Sequence, residues 1–298
     1  MGKETGQIRR KFGPYIALKV LAAGEQNAIY SAIHESTGKT VALRILTISA
    51  RDLDSAVEQC TEVLKDISKI DIPNAAKILD FGNDDAILYI AMDILNGGTL
   101  EDRMAQRMEE PDNMTLPSPA DVLHMTERIA IALDSLHSMD MVHGQILPHS
   151  IMFNDRGDAY LTEIGITRIL KIIYNLEATN SFNMTRYSAP ELWNGERPGP
   201  WTDQYALACL VYQLLTGKVP FDGPSIFSLM NAHANDVAAP PHYVRKELPS
   251  DLAMIFWQAL AKPTDRRYPG IRAFYQDLQK AFVDYASVRT DFFTFPLD

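Results

Sequence analysis

Three short β-prone runs open the chain. Tyr15–Leu21, Ala28–His34 and Thr40–Leu46 gather apolar and β-branched side chains in the way strands do. Ser36-Thr37-Gly38-Lys39, between the last two, predicts a hairpin turn. Arg51–Ile70 predicts a helix, with Leu53, Val57, Leu64 and Ile67 loosely at helical spacing. Ala76–Phe81 and Ile87–Met92 predict two further strands around the turn Gly82-Asn83-Asp84-Asp85. Asn96-Gly97-Gly98 breaks both kinds of element, so a boundary is expected between residues 1–95 and 96–298.

Beyond that boundary the period turns helical. Val122, Met125, Ile129, Leu133 and Leu136 form one apolar stripe. Leu207, Leu210, Val211, Leu214 and Leu215 form a cleaner one, with Thr202 and Asp203 where an N-cap belongs and Gly217 where the helix should stop. A sheet-rich part followed by a larger helical part is α+β architecture.

Composition narrows the function classes. The 298 residues are 46% hydrophobic and 22% charged, ordinary for a globular chain. A net charge of −10 argues against a nucleic-acid partner and against docking on anionic lipid. Cys60 and Cys209 are the only cysteines, so no disulfide framework is expected and a reducing cytoplasm fits. No apolar run is long enough for a membrane span, and the start lacks the apolar centre of a signal peptide. Gly2 suggests myristoylation, but Gly6 stands where that motif wants Ser or Thr.

Ordered landmarks then carry a resemblance. They are Val41-Ala42-Leu43-Arg44, Ile90-Ala91-Met92-Asp93, Leu136-His137 with Val142-His143, Ser188-Ala189-Pro190-Glu191, Asp203 with the stripe behind it, and Arg267. In this order and spacing the chain resembles the eukaryotic-like serine/threonine protein kinases over nearly its whole length. The resemblance implies one bilobal kinase-like domain, with an antiparallel sheet and one helix in the first lobe and a mainly helical second lobe. It also implies structural roles for His143, Glu191, Asp203 and Arg267. Glu191 and Arg267 should pair, with Arg266 as the neighbouring competitor, and Asp203 should hold the loop at His143 from below.

The same comparison places exchanged residues at the reaction centre. Phosphoryl transfer rests on positioning and charge neutralisation, through a lysine on the phosphates, metal ligands and a carboxylate for the hydroxyl proton. The lysine position is Arg44, larger and forked. The His-Arg-Asp of the family reads His143-Gly144-Gln145, and an amide is a poor proton acceptor. The lysine that follows is Leu147, the magnesium-binding asparagine is Ser150, and the metal-binding aspartate is Glu163. On the helix at Arg51–Ile70, Glu62 or Val63 falls where the family has the acid that pairs with the residue at Arg44.

The resemblance also outlines a nucleotide pocket of Gly24, Ile29, Ala42, Arg44, Met92, Asp93, Leu95 and Met152. Its phosphate loop keeps only Gly24, and Glu25 adds negative charge. His137, His143 and His149 recur at a spacing of six, but packing explains them better than a metal does. Ile166 to Tyr174 is unusually apolar for a mobile loop, so it is expected to pack as a helix, a partner surface being the rival reading. Asn183-Met184 replaces the family's usual Gly-Thr, and Phe292, Phe293 and Phe295 need cover from somewhere.

Together these readings give an expectation of a pseudokinase. It would be a regulatory or scaffolding module binding other signalling proteins, without enzymatic activity, metal or obligatory cofactor. The alternatives are a nucleotide sensor that binds ATP weakly without magnesium, and a kinase-fold enzyme with a different transfer reaction.

Overall fold

The computed structural model describes residues 10–23, 27–108, 116–174 and 186–288. The chain divides into two compact units. One runs to Gly98 and resumes over Met152–Thr179; the other comprises Thr99–Ile151 and Asn180–Asp298.

The first unit is built on a six-stranded antiparallel sheet of order β1-β2-β3-β4-β6-β5. Its strands are β1 (Arg10–Phe12), β2 (Tyr15–Ala23), β3 (Asn27–His34), β4 (Thr40–Thr47), β5 (Ile78–Asp84) and β6 (Ile87–Met92). β1 has no counterpart in the sequence-based reading, because three residues with two cations carry no strand period. Pairing with β2, Arg10 opposite Ala17, is what makes it a strand. β5 runs through Gly82, Asn83 and Asp84, which the sequence assigns to a turn. These residues stay in the ladder because β6 pairs with them, and Gly82 leaves room for the Tyr89 ring: a Cβ there would lie 2.4 Å from the phenol oxygen.

β4 is central and buried from Val41 to Leu46. Successive strand side chains face opposite ways. Val41, Leu43 and Ile45 join Phe12, Tyr15, Ala17, Ala32 and Ala91 in one apolar core. Ala42, Arg44 and Leu46 occupy the other face, so Arg44 is a cation in the middle of a buried strand.

Helix α1 (Leu53–Ser68) starts where the Asp52 side chain accepts from the Ser55 amide, and buries Ala56, Cys60, Val63, Leu64 and Ile67 along one stripe. A short hairpin, β7 (Ile151–Phe153) and β8 (Ala159–Leu161), leads to a helix over Ile166–Ile173 described below as α4.

The second unit is helical: α2 (Leu100–Met108), α3 (Pro119–His137), α5 (Pro190–Trp193), α6 (Pro200–Thr216), α7 (Ile226–Asn235), α8 (Pro241–Val244), α9 (Leu252–Ala259) and α10 (Ile271–Val288). Ser118 caps α3 by accepting from the Asp121 amide, with Pro119 in the first turn. The cap of α6 differs from the sequence expectation. Gly199 is the N-cap, and its amide donates to Thr202 Oγ1 at 3.0 Å, leaving Thr202 and Asp203 inside the first turn. α6 is buried without interruption from Thr202 to Tyr212, so it is the centre of this unit rather than an amphipathic surface helix. No helix among the described residues is long and apolar enough to cross a membrane.

Candidate active site

The register of the first sheet brings several residues of the expected pocket onto one face. Ile29 lies opposite Arg44, Arg44 opposite Ile90, and Ala42 opposite Met92. Directly opposed residues point the same way, so Ile29, Ala42, Arg44 and Met92 share a face. Asp93 leaves β6 with its amide donating to Lys77 O at 3.1 Å, while its carboxylate accepts from the Lys77 amide at 3.2 Å. Leu95 and Met152 are half-buried in the same unit. Gly24 and Glu25 lie outside the described residues, as do Asn183, Met184 and the terminal phenylalanines.

Arg44 makes an ion pair with Glu163, Nη2 donating to Oε1, and the arginine side chain is only 5% exposed. The sequence points to Glu62 or Val63 for a role beside Arg44. Glu62 is exposed, and Val63 turns into the core. The helical phase decides this, since Val63 belongs to the apolar stripe of α1 and Glu62 is one residue off it.

Glu163 sits at φ +65°, a conformation non-glycine residues avoid. Gly165, at φ +76°, caps the helix α4 (Ile166–Ile173). Ile166, Ile169 and Ile173 are buried, and α4 packs on α1. The apolar run is therefore a packed helix. Full burial of an isoleucine is worth about 1.5–3 kcal/mol, so α4 is firmly held.

In the second unit, the loop after α3 is anchored on Asp203. This buried carboxylate accepts from the His143 amide at 2.9 Å and the Gly144 amide at 2.7 Å, and contacts His137 Nε2 at 2.8 Å. Gln145 follows, its amide 3.4 Å from His143 Nδ1. Ser150 closes on its own loop: its hydroxyl donates to Leu147 O at 2.8 Å and accepts from the Leu147 amide at 3.0 Å. Leu147 is buried. Glu191 and Arg267 form a bidentate pair inside this unit, and Thr202 Oγ1 donates to the same carboxylate at 2.9 Å.

The chemistry these groups allow differs by ligand. Arg44 Nε and Nη1 are buried without a partner among the described residues, which suits an anion such as a nucleotide phosphate. Glu163 is engaged by Arg44, and the Ser150 hydroxyl bonds within its own loop. Among the described residues no three or more His, Cys, Asp or Glu side chains gather as a metal site would.

One region escapes the sequence reading. His233 is buried among Trp193, Tyr205 and Phe221, and its Nδ1 lies 3.0 Å from the Tyr205 hydroxyl. Lys262 Nζ stands 3.8 Å from the Phe221 ring centre. Burial first, then the charge of Lys262, pushes the His233 imidazole down to about 3; burial pushes the Lys262 amine down to about 8.

An antiparallel sheet crossed by one helix, a helical unit centred on one buried helix, and a loop hung on a buried aspartate define a protein kinase fold. The chain belongs to the protein kinase domain family, which it matches over residues 15–270. It is similar to the serine/threonine-protein kinase PrkC of Bacillus subtilis, 27% identical over 274 residues, covering 92% of this chain and 41% of that protein. It is also similar to the serine/threonine-protein kinase PknD of Mycobacterium tuberculosis, 27% identical over 271 residues, covering 90% of this chain and 40% of the relative. The chain thus spans about two fifths of the length of these curated relatives. The PknI kinase domain of Mycobacterium tuberculosis has the same fold, with a TM-score of 0.70 at 23% identity, covering 94% of this chain and 100% of that one.

These findings correct the expectation of a non-enzymatic pseudokinase. These relatives are named serine/threonine-protein kinases, and their names favour neither a scaffold nor a different transfer reaction. The expectation read loss of function from residue identities alone. Phosphoryl transfer depends mainly on positioning and charge, which more than one set of side chains can supply in part.

Proposed function

We propose that this chain is the catalytic domain of a serine/threonine-protein kinase, transferring the terminal phosphoryl group of ATP to a protein hydroxyl in cytoplasmic signalling. The observation that carries this reading is the family match over residues 15–270, joined to relatives named as serine/threonine-protein kinases. The two free cysteines, Cys60 and Cys209, are both buried and fit a reducing compartment.

The residues present set the pace of that reaction. Arg44 supplies a buried positive charge for the phosphates. Gln145 can orient a hydroxyl by hydrogen bonding but cannot take its proton. General-base catalysis is worth about 10²–10⁴ in rate, so turnover is expected to be low by that factor. A loose transition state asks little covalent chemistry of the protein, so transfer survives this loss. The donor set favours the nucleotide's phosphates over a divalent ion, and ATP binding is expected to be weak and to persist without magnesium.

The test is transfer of label from γ-labelled ATP to a mixture of serine- and threonine-containing peptides by the purified chain. Slow phosphorylation that disappears in Arg44→Ala is the expected result. Label incorporation no higher than in the absence of protein overturns the reading.

A further inference from the structure

We propose that Asn27 is a positioning residue whose side-chain amide holds the outer phosphates of the nucleotide, next to Arg44 on one face of the sheet. This deepens the kinase reading and rests on it, because it concerns the substrate of the same site.

The argument starts from unmet hydrogen bonds. In the first unit, Asn27 Oδ1 and the Arg44 atoms Nε and Nη1 are buried without a partner among the described residues. Folded proteins leave few buried polar atoms in that state, so two such residues on neighbouring strands point to a ligand that satisfies them.

The register places the two side chains together. β3 and β4 pair without a shift from Asn27 opposite Leu46 to Ile33 opposite Thr40, with Ile29 opposite Arg44. Directly opposed side chains share a face, and so do residues two apart on one strand. Asn27 therefore stands on the face of Ile29, Ala42, Arg44 and Leu46, one diagonal step from Arg44. Such a step is roughly 7–8 Å, within reach of a long side chain.

The face is also ordered. Ala42, opposite Met92, lies at one end, Arg44 in the middle, and Asn27 beside Leu46 at the other. At roughly 3.4 Å per residue, the run from Ala42 to Leu46 is about 14 Å. An apolar end, then a cation, then an amide is the order in which a nucleotide presents its base, its inner phosphate and its outer ones. A base seated at Ala42 and Met92 sends its phosphate chain past Arg44 toward Asn27. Asn27 Oδ1 is an acceptor as placed, and a half-turn of the amide brings the two Nδ2 donors to the same spot, where they meet phosphate oxygens. A side chain here thus supplies donors that a glycine could offer only from its backbone. The rival role is obstruction, in which the same side chain keeps the phosphates away. The two differ in sign.

Calorimetry with ATP, and with adenosine as its competitor, compares the full chain with Asn27→Gly, Asn27→Ala and Asn27→Asp, alongside their melting temperatures. Asn27→Gly and Asn27→Ala are expected to weaken ATP about fivefold or more and to change adenosine less than about twofold. Asn27→Asp sets a negative charge at the same spot and is expected to weaken ATP further, with adenosine again unchanged. Unchanged or tighter ATP binding in Asn27→Gly overturns the proposal, as does absence of ATP binding in the unaltered chain. Equal weakening of ATP and adenosine also overturns it, because the residue would then shape the sheet rather than touch phosphate. If Asn27→Gly lowers the melting temperature, Asn27→Ala and Asn27→Asp decide by the same comparison. Binding does not depend on turnover: absence of phosphoryl transfer with the ATP-specific loss intact would remove the kinase reading and leave the phosphate contact.

Discussion

Arg267 grips both carboxylate oxygens of Glu191, with Nη1 and Nη2 at 2.9 and 2.8 Å, and the arginine side chain is fully buried. The remaining donors are also used: Nε goes to Ala261 O, while Nη1 also reaches Trp201 O and Nη2 Lys262 O. A fork of this kind cannot be replaced by a point charge. Arg267→Ala leaves Glu191 buried without its partner and is expected to cost about 3–5 kcal/mol in urea unfolding. Arg266, one residue away, is exposed, and Arg266→Ala should change stability by less than about 0.5 kcal/mol. Equal losses in the two variants would contradict this assignment.

Asp203 is the other anchor in the same unit. It has no exposed surface and satisfies two consecutive backbone amides, those of His143 and Gly144. Removing it strands both donors in the interior, each at about 1–3 kcal/mol. Asp203→Ala should therefore lower the melting temperature by several degrees and loosen the segment from His143 to Ser150 in hydrogen exchange. An unchanged melting temperature would show that the loop does not hang on this carboxylate.

The parts of this arrangement differ in how far the sequence discloses them. Strands β2, β3, β4 and β6 could be read because β-branched side chains recur along them, and α1 because its buried face repeats at helical spacing. β1 could not be read, since Arg10 and Lys11 look like any polar stretch until β2 is beside them. The roles of Asp203 and Glu191 were visible only through resemblance. Asp203 meets backbone donors 59 and 60 residues away, and Glu191 meets its arginine 76 residues away, and no local pattern encodes that. The partner of Arg44 was hidden for the same reason, and also because a backbone conformation at Glu163, rather than a residue type, selects it. His233 gave no signal at all, because its burial is made by Trp193, Tyr205 and Phe221 arriving from other segments.

His233 makes the fold sensitive to acid. An imidazole ordinarily titrates near 6.5, and burial with the nearby Lys262 holds this one to about 3. Between those values the unfolded chain binds a proton that the folded chain does not. Stability is therefore full above about pH 6.5 and falls as the pH drops toward 3, by up to about 1.4 kcal/mol per pH unit. His233→Gln keeps an acceptor for the Tyr205 hydroxyl and removes the titration. Urea unfolding from pH 7.5 to 4 should show a shallower slope for the variant. Parallel slopes would mean that another group carries the acid response.

Gln145 offers the sharpest test of the rate. Its loop is in place, with His143 and Gly144 pinned on Asp203 just before it, so the side chain leaves from an ordered backbone. The amide is neutral and can orient a hydroxyl without taking its proton. A carboxylate of nearly the same reach restores the base and adds a negative charge that favours a leaving proton. Gln145→Asp shortens the side chain by one methylene and is expected to raise the phosphoryl-transfer rate at least tenfold, toward the about 10²–10⁴ that a positioned base contributes. Stability should hardly change, because Gln145 is only half-buried and its backbone amide keeps its position beside His143. The measurement is initial rate with labelled ATP at saturating peptide for wild type, Gln145→Asp and Gln145→Ala. A rate in Gln145→Asp equal to wild type, with Arg44→Ala still inactive, would place the limiting step in nucleotide binding rather than at the hydroxyl.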